Sequence, residues 1–300
     1  MSRIQVANAP CSWGVLEFDL DGEAAGYAKV LDEMAQARYA GTELGDWGFM
    51  PTDPQVLREE LSKRGLTMVG AFVPVALANP NAFEEGVLLA LKTAGLLASV
   101  SESPFLVLAD DNGTVDNRTR KAGRIQPQDG LSSEQWKRFA QSAERIAQAV
   151  NDKTGIRTAF HHHCAGYVET PEEVERFLSL TDPALIGLCF DTGHYEYSGG
   201  NALEGLKSFA ERIWHVHFKD CHPGIAETAR KKGWDYFKAV QNGVFCELGE
   251  GSVDFPAMVH ELESQDYNGW IVVEQDVLPG MGTPLESAIR NRNYLVKLGL

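Results

Sequence analysis

His161-His162-His163, then Asp191-Thr192-Gly193-His194, then His215-Val216-His217-Phe218-Lys219-Asp220: these groups, with His222 just beyond, hold seven of the eight histidines in the 300-residue chain. Each group stands at or just after the end of an apolar run that reads as a strand. A further run, Trp270-Ile271-Val272-Val273, ends in Glu274. In a strand, side chains two apart point to the same face. That parity puts His161 with His163, His215 with His217 and Lys219, Cys189 with Asp191, and Val272 with Glu274 and Asp276. Leu188, Phe190, Val216 and Phe218 then point the other way, towards surrounding helices. Polar inward and apolar outward at the strand tips is the pattern of a barrel mouth that carries a site.

Working outward, strands alternate with helices along the whole chain. Short apolar runs fall at residues 4–7, 42–44, 66–75, 105–109, 157–163, 185–191, 213–219 and 270–274. Between them lie segments with helical spacing, such as Trp136, Phe139, Ala140, Ala143, Ile146, Ala147 and Val150. Ser132 with Gln135 and Thr170 with Glu173 make capping boxes. Eight strands and eight helical segments in 300 residues fit a single-domain (β/α)8 TIM barrel, which needs roughly 250 residues. Residues 8–14 lack the GxGxxG turn of a doubly wound dinucleotide fold. Two long stretches without clear period, about 110–131 and 221–251, read as loops.

Composition narrows the function class. With 27 basic and 42 acidic side chains the formal net charge is −15, which repels phosphate backbones and anionic lipid. Nucleic-acid and membrane partners are therefore not expected. Five cysteines without a CxxC pair argue against a disulfide framework and fit a reducing compartment. No signal-peptide pattern opens the chain, and no run approaches the roughly 20 apolar residues of a membrane span. The expectation is a cytoplasmic protein. Its oligomeric state stays open, a homo-oligomer included.

Barrel enzymes place their chemistry at the C-terminal ends of strands, and every candidate ligand here falls there. A mixture of imidazole and carboxylate suits Mn²⁺, Co²⁺, Zn²⁺ or Fe²⁺ better than Ca²⁺, and the lack of thiolate argues against a structural zinc. The residues leave open whether His161 or His163 faces the ion.

The chain resembles the xylose-isomerase-like superfamily of sugar isomerases and epimerases, and within it the inosose (2-keto-myo-inositol) dehydratases. The resembling pieces are Ala9-Pro10-Cys11-Ser12-Trp13-Gly14, Gly41-Thr42-Glu43-Leu44-Gly45, His161-His162-His163 with Val168-Glu169-Thr170, Phe190-Asp191-Thr192-Gly193-His194, His217-Phe218-Lys219-Asp220 and Val273-Glu274-Gln275-Asp276. The resemblance implies one divalent metal, Mn²⁺ or Co²⁺ first and Zn²⁺, Fe²⁺ or Mg²⁺ after them. Its ligands would be His161, Asp191, His217 and Glu274, with His161 where the superfamily usually carries a carboxylate. It implies proton-transfer roles for His163, His194 and Glu43, a catalytic place for Lys219, and substrate contacts for Trp13, Trp47, Glu169 and Asp276. The expected activity is metal-assisted dehydration of a keto-inositol or similar polyol ketone. A ketose 3-epimerase or sugar isomerase on the same metal is the alternative, and a non-catalytic sugar- or metal-binding protein a third reading.

Overall fold

The computed structural model describes residues 4–15, 25–278 and 281–300. Ten strands are present among these residues: β1 (Gln5–Asn8), β2 (Gly41–Glu43), β3 (Thr67–Val75), β4 (Phe105–Asp110), β5 (Arg157–His161), β6 (Ile186–Asp191), β7 (Ile213–Phe218), β8 (Asp220–Cys221), β9 (Phe245–Cys246) and β10 (Trp270–Val273). Eight of them close into one barrel in the order β1-β10-β7-β6-β5-β4-β3-β2, with parallel pairing throughout. β8 and β9 form a separate antiparallel ribbon. The expected (β/α)8 barrel is the observed fold.

The alternation of side chains sorts the barrel into two layers. Small groups such as Ala7, Val69, Val107, Ala159, Cys189 and Val272 fill its interior. Phe160, Phe190, Val216, Phe218, Ile271 and Val273 point out and pack on the helices, whose buried stripes include Trp136, Phe139 and Phe177. Both predicted capping boxes form: Ser132 opens the helix Ser133–Thr154, and Thr170 opens the helix Pro171–Leu180. No described helix is long and apolar enough to cross a membrane.

Two sequence expectations change here. The stretch expected as a loop at about 110–131 contains the helix Asp116–Lys121 and a 3-10 turn, Pro127–Asp129. Six polar residues cannot show an apolar period, and the helix is held from outside. Fully buried Arg118 donates to Gly166 O at 2.7 Å and to both oxygens of Glu173 at 2.8 and 2.7 Å. The stretch at about 221–251 carries the helices Pro223–Lys232 and Tyr236–Gln241 between β8 and β9. Their buried residues, Ala226, Ala229, Tyr236, Ala239 and Val240, form a satellite core. Alanine is a weak hydrophobic marker, so the helical period did not stand out.

Candidate metal centre

β6 ends in Asp191, and a six-residue helix, Thr192–Tyr197, starts at once. Asp191 caps it: Oδ1 accepts from the His194 backbone N–H at 2.8 Å, the usual role of an N-cap carboxylate. The other oxygen, Oδ2, points into the barrel. Gly193 is required at this corner, because a Cβ there would lie 2.6 Å from Lys219 Cγ. Thr192 Oγ1 donates to Lys219 O at 2.6 Å and accepts from Lys219 N at 3.0 Å, tying the end of β7 to the end of β6.

Register brings the remaining groups level. His161 pairs with Cys189, and His217 pairs with Asp191 on one side and Val272 on the other. The result is a quartet in which His161, Asp191 and His217 are buried and Glu274 is half-buried. His161, Asp191, His217 and Glu274 each offer one donor atom, all within 4.8 Å of one another. His161 Nε2 lies 3.7 Å from Asp191 Oδ2. His217 Nδ1 lies 3.1 Å from Glu274 Oε1 and 4.0 Å from Asp191 Oδ2.

These donors fit a divalent cation. Asp191 Oδ2 and His217 Nδ1 are buried with no hydrogen-bond partner among the described residues. An unpaired buried carboxylate oxygen is costly. Nitrogen and oxygen donors at roughly 2.0–2.2 Å from one ion stand about 3–3.5 Å apart, close to the 3.1 Å between His217 Nδ1 and Glu274 Oε1. Thiolate is not needed: among the cysteines here only Cys189 approaches His161 and His217, and burial pushes its thiol up to about 12.

His162 points away, as parity requires. Its Nε2 accepts from the Asp191 backbone N–H at 3.1 Å, and its ring packs beside Phe190 and Tyr195. His161 thus occupies the inward position next to Asp191. His163 stands beyond the strand end, on the wall of the cavity above the quartet.

That cavity is also lined by Cys11, Glu43, Asp46, Phe72, Lys219, Tyr236, Glu274 and Asp276. Lys219 Nζ lies 3.1 Å from Glu274 Oε2 and 3.4 Å from Asp276 Oδ1. Burial opposes its charge, but Asp276, Glu274 and Asp191 outweigh that and raise its pKa well above the ordinary lysine value. His163 is different: burial, reinforced by the charges of His161 and Lys219, depresses it to about 3. Its Nδ1 is 2.6 Å from Cys164 O. A carbonyl oxygen only accepts, so the proton sits on Nδ1 and Nε2 carries the lone pair.

The other expected residues divide between the cavity wall and its surroundings. His194 does not line the cavity; its ring lies behind that of His163, centroids 3.8 Å apart and planes tilted by 43°, with Nε2 3.4 Å from Lys219 Nζ. Glu43 reaches inward, but its Oε1 lies 2.8 Å from His215 Nε2 and 3.0 Å from His217 Nε2. Three of the four expected substrate contacts lie off the cavity wall. Trp13 belongs to the main core and donates its indole N–H to Glu33 Oε2 at 2.6 Å. Trp47 is 37 % exposed, with Lys92 Nζ 4.6 Å from its ring. Glu169 accepts from Gly123 N at 2.7 Å and Ala165 N at 2.8 Å, which fastens the 116–130 segment to the loop after β5. Asp276 does line the cavity. Asp220, part of the same run as Lys219, is structural: its oxygens accept from the backbone N–H groups of Cys221, Gly249, Gly251 and Val253.

Asp46, His215 and Tyr236 were not among the sequence candidates. Strand parity already aligned His215 with His217, and that signal sufficed to find it. Asp46 and Tyr236 stand on segments whose direction no periodicity reports.

Known proteins place this architecture. The family model for xylose isomerase-like TIM barrels matches residues 25–295. An inosose dehydratase of Clostridium botulinum (strain Alaska E43 / Type E3) is 30 % identical over 296 residues, covering 98 % of this chain and 96 % of that protein. Among solved structures, a 3-keto-D-glucoside 4-epimerase of E. coli superposes with a TM-score of 0.69 at 15 % identity, over 99 % of both chains. The IolI protein with a bound zinc atom gives a TM-score of 0.69 at 14 % identity, over 98 % of this chain and 97 % of that one. At such identities the two structures speak for the fold alone. On the match over residues 25–295 and the full-length relative at 30 % identity, the chain belongs to the xylose isomerase-like TIM barrels.

Proposed function

We propose that the protein is a metal-dependent hydro-lyase that removes water from a keto-inositol or a closely similar polyol ketone, with Mn²⁺ or Co²⁺ as its ion. The observation that carries this reading is the quartet of converging donors, His161, Asp191, His217 and Glu274, with an ammonium and a neutral imidazole beside it on one cavity wall. The 30 % likeness to an inosose dehydratase supports the choice of substrate class.

One divalent ion there would polarise the substrate ketone and acidify the adjacent C–H. The chain's own groups do the rest. His163 is neutral and presents a lone pair at Nε2, so it takes the carbon-bound proton. Lys219 keeps its proton between Glu274 and Asp276, and Nζ gives that proton to the departing β-hydroxyl, which leaves as water. His194 bridges the two, against His163 on one side and 3.4 Å from Lys219 Nζ on the other. Exchange with water removes the proton left on the imidazole and returns one to the amine, which restores both groups before the next turnover.

The wall also sets the substrate's charge. Glu43, Asp46, Glu274 and Asp276 face the cavity, and four carboxylates repel a phosphate ester. The Asp46 carboxylate has no hydrogen bond or ion pair to any described residue, and burial raises its pKa above the ordinary aspartate value. A carboxylate of that kind is satisfied by a polyol hydroxyl, and we assign it that role.

The test uses protein stripped by chelator and 2-keto-myo-inositol as substrate. Added Mn²⁺ or Co²⁺ should restore formation of a diketone, read by its ultraviolet absorbance. Turnover that persists in excess chelator, with the absence of metal verified, overturns the mechanism. An epimerised ketose as the only product overturns the lyase assignment.

A further inference from the structure

Beside the quartet lies a third carboxylate that has no place among its four donors. Glu43 stands at the end of β2 and is 2 % exposed. Across the barrel, β7 presents His215 and His217 on one face, two residues apart. Both rings turn Nε2 to the same oxygen, Glu43 Oε1, at 2.8 and 3.0 Å. The carboxylate accepts, so each ring carries its hydrogen on Nε2.

For His217 this fixes the tautomer. With hydrogen on Nε2, the lone pair lies on Nδ1. That is the atom that stands 3.1 Å from Glu274 Oε1 and 4.0 Å from Asp191 Oδ2 and has no hydrogen-bond partner among the described residues. His215 has no such outlet. Its Nε2 is spent on Glu43, and Phe105 packs against its ring at 5.3 Å. Its evident work is to hold the far side of the carboxylate, so that Glu43 stays pointed at His217.

The geometry points to Glu43, anchored by His215, as the positioning residue that presents His217 Nδ1 to a divalent cation. A carboxylate behind a ligating imidazole fixes the ring and strengthens it as a donor. It also brings a third negative charge towards the ion without occupying a coordination position. Two carboxylates among the four donors would balance a 2+ charge. Glu43 therefore acts through His217 and not as a proton shuttle, the role its sequence motif suggested.

This inference rests on the quartet binding metal, and the experiment separates the two. Chelator-competition titrations with Mn²⁺ and with Zn²⁺ alone give stoichiometry and Kd for the wild-type chain and for Glu43→Gln. Wild-type protein should bind one ion per chain. Glu43→Gln keeps the shape and loses the charge, and its Kd should rise about 10–100-fold. A wild-type chain that binds no ion overturns the metal reading itself. One-to-one binding with an unchanged Kd in Glu43→Gln overturns only the role of Glu43. A readout on the unmutated protein decides the matter even where the variant does not fold. In zinc-loaded chain labelled with ¹⁵N-histidine, His217 should show its proton on Nε2 and metal on Nδ1. The reverse tautomer overturns the assignment.

Discussion

Two clusters of buried charge flank the loop after β5, and they differ in whether their polar atoms are paired. In the clasp that holds the 116–130 segment, Glu169 accepts from two backbone N–H groups. Arg118 meets both oxygens of Glu173 and the Gly166 carbonyl. In the quartet at the barrel mouth, Asp191 Oδ2 and His217 Nδ1 have no hydrogen-bond partner among the described residues. Both clusters bear the cost of desolvation, and only the clasp offsets it within the chain. A saturated cluster serves the fold, and an unsaturated one is shaped for something the chain does not itself contain.

The largest effect should come from the unsaturated side. Asn at position 191 can still cap the helix Thr192–Tyr197 through its side-chain oxygen, yet it removes a charged donor. Asp191→Asn should lower turnover by about 10³-fold or more, the loss of roughly 4 kcal/mol of transition-state stabilisation. The metal-free variant should melt no lower than the metal-free wild type, because an uncompensated buried carboxylate has gone. Steady-state kinetics and paired melting curves in chelator read both halves. A metal-free variant that melts well below wild type would make Asp191 a structural residue and blur the contrast.

The clasp should behave in the opposite way. Arg118→Met leaves Glu173 and the buried Glu169 without their cation. Breaking a buried pair in this fashion costs about 3–5 kcal/mol, read as a lower denaturant midpoint in metal-free protein. Affinity for Mn²⁺ in the protein that remains folded should match wild type. Loss of affinity with unchanged stability would transfer Arg118 to the site.

A gentler probe of the clasp is pH. Burial raises Glu169 from 4.5 to about 7, against the lowering influence of Arg118 and of the N–H groups of Gly123 and Ala165. The folded state thus keeps this proton to higher pH than the unfolded chain. Stability from this group is greatest below about 4.5, falls as pH rises through the window, and reaches its lower level above about 7. Glu169→Gln cannot ionise. The difference in unfolding free energy between wild type and Glu169→Gln should therefore move in the variant's favour from pH 4.5 to 7. A difference that stays flat across that range would show that Glu169 titrates alike in the folded and the unfolded chain.

The same contrast explains what could be read from the sequence. Barrel class, strand ends and the inward set came from period-two alternation, which register then preserves: His161 lies level with Cys189, and Asp191 with His217. Ligand candidates were legible because they sit on strands. Trp13 misled, because its place after a strand end says nothing of the rotamer that sends its indole N–H to Glu33. Glu169 misled for a related reason. Its position before a helix invites either a dipole or a substrate explanation, while its real partners, Gly123 and Ala165, lie in segments without period. Helix 116–121 was illegible because tertiary contacts hold it in place, chiefly those of buried Arg118 with Gly166 and Glu173 and of Asn117 with Asp129.

Asp46 offers the smallest and most discriminating prediction, since it belongs to neither cluster. It shares the cavity wall with Lys219 and Asp276 but is not one of the quartet's donors. It lacks the paired atoms that mark the clasp. Its remaining use is contact with a ligand, so Asp46→Asn should leave metal affinity and melting temperature near wild type. Asparagine still offers an oxygen to a hydroxyl donor, but without the charge that roughly doubles such a bond. The KM for a keto-inositol should rise about 3–10-fold, the equivalent of roughly 1 kcal/mol of binding, with kcat changed little. Loss concentrated in kcat would move Asp46 into the proton-transfer set beside His163 and Lys219. A KM equal to wild type would leave the substrate's hydroxyls to Asp276 and the ion alone.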